Sequence, residues 1–228
     1  MTLNDALTQL RAAGDPARVA EVATYHKAPR EYLGATVPTV TALALEWRMQ
    51  LDVPGRVALA DGLWQSNIHE ARVAAAKLLT QARIKGDYGA WWLITSWVPD
   101  FDAWAIADHV CDAGERRLLA DPSRLDEVET WITHENFWVR RAALVITLPW
   151  TKQNFPKPED LAIRDRVLGW AATLTPDREW FIQKAIAWWL RDLSKHDPER
   201  ARLWLAEHGP YLKTFARKEA SKYLEPLL

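Results

Sequence analysis

Three pairs of side chains stand where they could share chemistry. Trp104 and Asp108 are four residues apart, Trp138 and Arg141 three apart, and Trp188 and Arg191 three apart. On a helix, those spacings put both members of a pair on one face. A flat π surface beside a charge suits a ligand that is itself flat, cationic or phosphate-bearing. Taken singly, each pair also reads as a core Trp beside a solvated edge charge. Three such pairs on three predicted helices give the ligand reading its weight.

Other chemistries are poorly served. The chain has no GxxxxGK[ST] and no GxGxxG, so no nucleotide cofactor is expected. His69-Glu70 and His134-Glu135 do not extend to HExxH, and the six His do not cluster along the chain, so no metal site is expected. Cys111 is the single Cys, which excludes an internal disulfide. It lies beside Val110 on an apolar helix and reads as a buried structural thiol.

The elements that must position these residues are helical. Apolar residues recur with helical period over 68–84, 102–119, 123–134, 136–148, 158–173, 178–195 and 211–226, and no stretch alternates as a strand would. Asp15-Pro16, Asp121-Pro122 and Asp197-Pro198 each place a capping acceptor before a Pro suited to a first helical turn. About twelve helices follow, joined mostly by short connections. Only 26–37 and 149–158 read as longer ordered loops.

A pattern also repeats. A basic residue followed closely by Ala occurs in HEARVAA (69–75), FWVRRAA (137–143), FIQKAI (181–186) and FARKEA (215–220). Spacings of this size between helix pairs mark an α-solenoid of HEAT type. The expectation is an all-α chain of HEAT-like helix pairs forming one domain over 1–228, with a concave face lined by the second helices.

Composition sharpens the picture. Fourteen of 228 residues are Trp while Tyr and Phe together supply ten, so the enrichment is in indole specifically. Eleven of these Trp read as packing between helices, leaving Trp104, Trp138 and Trp188 beside charges. No run approaches 18 uninterrupted apolar residues, so no membrane span is expected, and the first residues lack the apolar core of a signal peptide. A cytoplasmic protein is expected. The formal charge of −1 gives no global basic field for nucleic acid. Charge is uneven, however: residues 101–150 hold five basic and nine acidic side chains, and 151–228 hold 14 and 11. Any phosphate-binding surface is therefore expected in the later helices.

The segments FDAWAIADHVC (101–111), ENFWVRRAALV (135–145) and REWFIQKAIAWWLRDLSK (178–195) resemble the DNA alkylation-repair family of AlkD-type glycosylases. LWQSNIHEARVAAAKLL (63–79) and FARKEASKYL (215–224) are similar to it as well. The resemblance implies a concave face that holds duplex DNA, and hydrolysis of the N-glycosidic bond of N3- or N7-alkylated purines without base flipping. It implies Asp108 as the catalytic carboxylate, and Trp104, Trp188 and an early aromatic, Tyr25 or Tyr32, at the lesion. It implies Arg141 on the DNA backbone near the lesion and Arg191 as the basic residue one turn beyond Trp188; the basic bias of the later helices makes Lys152, Lys157, Lys184, Arg191, Arg217 and Lys218 the candidate phosphate contacts. The partner would be double-stranded DNA containing alkylated bases, bound by a monomer that associates with the nucleoid when on DNA, with no cofactor. Ala105 departs from the acidic residue common in the family after the first Trp. Two other readings stay open: a non-catalytic module for distorted or branched DNA, and a protein-binding scaffold.

Overall fold

A computed structural model describes residues 1–224. The described residues form thirteen α-helices and no strand. They divide into two compact units, the first Met1–Ala120 and the second beginning at Asp121.

The first unit holds α1 (Leu3–Ala12), α2 (Val19–His26), α3 (Val37–Gln50), α4 (Val53–Gln65), α5 (His69–Leu79), α6 (Tyr88–Trp97) and α7 (Trp104–Ala120). The second holds α8 (Leu125–Thr130), α9 (Phe137–Val145), α10 (Pro158–Thr173), α11 (Trp180–Leu193), α12 (Pro198–His208) and α13 (Thr214–Ala220). The Asp-Pro signals act locally as their chemistry dictates. Asp15 and Asp121 cap short 3-10 turns that lead into α2 and α8, and Asp197 caps α12 directly.

The repeated motif falls on α5, α9, α11 and α13. In the first unit α5 packs against α3, α4 and α7; in the second α11 packs against α9, α12 and α13. The motif alanines Ala74, Ala75, Ala142, Ala143, Ala185 and Ala216 are buried. With only a methyl group at the contact, neighbouring helices can approach closely.

Indole supplies much of the rest of the core. Trp47, Trp64, Trp97, Trp150 and Trp189 are fully buried. Most buried indoles also bond to another segment. Trp47 donates to Gln9 at 2.8 Å, Trp170 to Glu129 at 2.9 Å, Trp189 to Thr147 at 3.2 Å and Trp204 to the Leu168 carbonyl at 2.9 Å. A large apolar body with a satisfied polar tip fixes both the spacing and the register of two helices. Two Trp expected in packing are instead open: Trp92 is 61% exposed and Trp180 48%.

Helix ends differ from the periodic pattern in three places. The pattern over 68–84 ends early, at Leu79, because the Gln81 and Ala82 carbonyls turn to accept from the buried Arg117 of α7. The pattern over 123–134 resolves into a 3-10 turn, the short α8 and a second turn, Trp131–Thr133. The pattern over 211–226 leaves only α13 as regular helix, and positions 225 and 226 lie outside the described residues.

The loop between α2 and α3 is held from α5. Glu70, buried in the first turn of α5, accepts the backbone N–H groups of Leu33 at 2.9 Å and Gly34 at 2.8 Å. The positive end of the α5 dipole favours that carboxylate. Gly34 sits at φ +79°, and a Cβ there would lie 2.2 Å from the Asp15 carbonyl oxygen. Gly34→Ala is therefore expected to cost about 2 kcal/mol or more, combining left-handed strain with backbone displacement. Urea unfolding checks this; wild-type stability in the variant would refute it.

Candidate functional site

The first unit builds an aromatic wall at the start of α7. Trp104 is the first residue of that helix and is half-buried. Tyr25 meets its ring edge-on, with centroids 5.8 Å apart and planes at 86°. His26 lies 5.5 Å from the same ring and stacks on His69 at 4.3 Å. Tyr32 packs behind, 5.0 Å from His69, with its hydroxyl donating to the Ala28 carbonyl at 2.9 Å. Tyr25 is 66% exposed and Tyr32 only 6%, so Tyr25 is the tyrosine a ligand can reach.

Asp108 follows Trp104 by one helical turn and is half-buried. The wall is fastened to α7 from a second side, because the buried Arg30 guanidinium pairs with Asp102 just before that helix. Arg30 comes from the same loop that Glu70 holds.

The imidazoles of this wall are neutral at physiological pH. Burial pushes His69 down to about 3, assisted by His26, Arg30 and His109. Burial likewise lowers His109 to about 4, with Lys77 adding to the effect. His26 is lowered by burial and then by Arg30. The imidazoles therefore add π surface to the wall without adding positive charge. No group of three His, Cys, Asp or Glu among the described residues converges as a metal ion requires.

The sequence gives no sign of this histidine grouping. His26 and His69 are far apart along the chain and on different helices. Only the closure of the 27–36 loop brings them into contact.

The second unit carries its own aromatic and basic groups. Trp138 packs on Phe181 at 4.5 Å, and Trp180 stacks with Phe215 at 5.6 Å. Lys184 holds its ammonium 5.8 Å from the Trp180 ring. Arg141 is buried, its guanidinium 6.0 Å from the Trp138 ring, while neighbouring Arg140 binds Asp177 at 2.8 Å. Trp188 is half-buried and donates its indole N–H to Asp192 at 3.0 Å.

Arg191 pairs with Glu219 and lies 3.4 Å from Asp192. Burial pulls its pKa down, but the Glu219 hydrogen bond and the Asp192 charge outweigh that and leave it raised. Its charge is thus already engaged within the unit. Arg217 and Lys218 stand exposed on α13, as do Lys152 and Lys157 beside α10.

The family model for DNA alkylation repair enzymes matches residues 6–224. No curated protein matches the chain. Among solved structures, one described as a predicted DNA alkylation repair enzyme from Enterococcus faecalis aligns with a TM-score of 0.78 at 23% identity, covering 94% of this chain and 98% of that one. The X-ray crystal structure of AlkD2 from Streptococcus mutans aligns at 0.64 and 19% identity, covering 92% and 98%. The structure of smu.31 from Streptococcus mutans UA159 aligns at 0.63 and 20%, covering 83% and 93%. These likenesses show the same helical-repeat fold.

The buried imidazoles make a pH prediction with a definite sign. Folded His69 and His109 titrate near 3 and 4, below the ordinary value of 6.5. As pH falls below 6.5 the unfolded chain takes up protons that the folded chain refuses. Stability is therefore full above that pH and declines toward pH 4, by about 1.4 kcal/mol per pH unit for each proton. Urea unfolding between pH 7 and 4.5 should show the decline, and His69→Phe should flatten part of it. Equal slopes in variant and wild type would refute the role of His69.

Proposed function

This chain belongs to the DNA alkylation repair enzyme family, and from that premise we propose that it hydrolyses the N-glycosidic bond of N3- or N7-alkylated purines in duplex DNA. The observation that carries the proposal is Asp108 one turn below Trp104, whose ring is met edge-on by the exposed Tyr25.

The chemistry needs little more than these groups. An alkylated purine of this kind is already cationic. When the bond from C1′ to the base nitrogen breaks, its electron pair neutralises the base, so no general acid is required. Positive charge then develops on the sugar. The Asp108 carboxylate would stabilise that charge and orient a water, whose oxygen adds at C1′ and whose proton passes to the carboxylate or to solvent. The negative π face of Trp104 would favour the electron-poor sugar or base by about 0.5–2 kcal/mol. The neutral imidazoles behind Trp104 support this reading, since a cationic wall would repel such a substrate.

Within the same proposal, the exposed Arg217 and Lys218 and the half-buried Lys184 contact the DNA backbone, whereas the buried Arg141 would reach a phosphate only after a local rearrangement. Arg191 would join them only by exchanging Glu219 for a phosphate. The proposal takes 1–228 to act as one HEAT-like domain. It acts as a monomer in the cytoplasm, on the nucleoid when bound, and without base flipping.

The test is release of free N7-methylguanine or N3-methyladenine from methylated duplex under single-turnover conditions. Asp108→Asn is expected to lower the rate about a hundredfold or more, the scale for removing a preorganised charge stabiliser. Duplex affinity should change less than about twofold. Equal release by variant and wild type would refute the role of Asp108. Salt-dependent binding without release by the wild type would make the chain a non-catalytic DNA-binding module.

A further inference from the structure

The first unit carries a cluster of cations that the aromatic wall does not use. A cleft of about 400 Å³ opens among α3, α5 and α7, lined by Arg48, Lys77 and Arg116 together with Thr41 and Thr80. Arg56 stands behind it and reaches Gln81 of its lining at 2.6 Å.

Two of these cations have no carboxylate partner among the described residues. Arg56 spends its donors on neutral acceptors: the Leu51 carbonyl at 3.0 Å, the Arg48 carbonyl at 2.8 Å and the Gln81 side chain. It thereby closes the C-terminal end of α3, where free carbonyls attract a cation. Arg48 lies within its electrostatic reach and makes no ion pair among the described residues. Burial, and then Arg56, hold the Arg48 guanidinium below its ordinary pKa.

The remaining two are only partly engaged. Lys77 reaches Asp112 at 3.3 Å, and Arg116 lies 3.7 Å from Glu115. The cleft thus gathers four cations against two carboxylates, in a unit whose composition is net acidic. The Thr41 and Thr80 hydroxyls donate to carbonyls of their own helices at 2.8 Å, so the charged donors to a ligand are the cations.

We infer that this cleft binds a phosphodiester of the DNA backbone, with Arg48 as the principal contact and Lys77 and Arg116 beside it. The inference rests on the proposed DNA-binding function and adds a site to it. A half-buried guanidinium with like charge at its back gains most from an oxyanion with two terminal oxygens, such as a phosphodiester, which it can meet with two parallel N–H groups. Two of its neighbours are already held in place by their own bonds, which lowers the ordering cost of binding. The sequence alone points to the later helices for such contacts; the cleft places one among residues 1–120.

The test uses the full chain and a fluorescein-labelled duplex, read by anisotropy across a salt series. Arg48→Ala is expected to raise Kd about fivefold to tenfold at low salt. It should also reduce the slope of log K against log salt by about 0.9, the value for one phosphate. Arg48→Lys should restore the slope but only part of the affinity. Thermal unfolding and circular dichroism establish that each variant folds, and Lys77→Ala gives an independent variant with the same expected direction.

Wild-type Kd and slope in both alanine variants would overturn the inference while leaving the proposed activity intact. If the wild type shows no salt-dependent duplex binding, the proposed function fails instead. The cleft is then decided by titrating inorganic phosphate while observing the Arg48 Nε–H resonance. A saturable shift lost in Lys77→Ala supports a phosphate site, and no shift overturns it.

Discussion

The first unit is organised around one buried carboxylate. Glu70 has almost no exposure and spends its oxygens on two consecutive backbone N–H groups, those of Leu33 and Gly34. Removing it would strand both donors in the interior, a larger loss than the bonds themselves contribute. The same loop returns the favour, since the Glu31 carbonyl accepts the His69 N–H at 2.9 Å at the start of α5. Loop and helix are thus locked by three bonds, the two to Glu70 being buried. The aromatic wall of this unit follows from that lock. It puts His26 on His69, sets Tyr25 against Trp104, and carries Arg30 to Asp102 at the entry to α7. Asp108 then inherits its position from a helix whose first turn is already fixed.

Tryptophan serves two ends in this chain, and exposure separates them. The fully buried indoles hold helices apart at a set distance, and most of them bond through their N–H groups to partners in another segment. An indole treated this way has no face left for a ligand. Trp104 is different: half-buried, at a helix start, with its ring met on the edge by an open Tyr25. Trp188 is intermediate, half-buried but with its N–H committed to Asp192. That bond also orients Asp192 toward Arg191, so the three side chains form one connected group on α11. An aromatic pair offers a ligand most when one ring is fixed by the core and the other is free to adapt, and Trp104 with Tyr25 meets that description.

Much of the fold is legible in the sequence because helix signals are local. The apolar period over 158–173 coincides with α10, whose boundary is set by Pro158 at its first turn. The motif of a basic residue followed by Ala locates the four helices that pack against their neighbours. What is illegible depends on partners distant in sequence. The end of α5 is decided by Arg117, which claims two carbonyls that a continued helix would have used. The grouping of His26 with His69 requires a loop closure that no spacing reveals. Arg191 reads as a free cation in sequence, yet Glu219, from another helix, engages it. Trp92 and Trp180 carry the same periodic signature as buried indoles, yet among the described residues no element covers either ring fully. The Trp104–Asp108 pair is legible since both residues sit on one helix, whereas the exposure of Tyr25 and the burial of Tyr32 depend on contacts that no spacing reveals.

Near-neutral net charge would usually count against a nucleic-acid partner, but net charge is the wrong quantity here. Many of the arginines are engaged in structure: Arg140 with Asp177, Arg164 and Arg200 with Asp197, Arg166 with Glu129, and Arg11 with Glu31. Each such pair contributes nearly nothing to the field a Debye length away. The acidic residues in those pairs likewise do not repel a phosphate as their number suggests. What a polyanion meets is the set of cations that have no internal carboxylate. Among the described residues these include Arg48 in the first unit and Arg217 and Lys218 in the second. The salt dependence of binding counts those groups, not the formal total. A chain can therefore be close to neutral and still carry local phosphate sites, provided its carboxylates are used to hold the fold together.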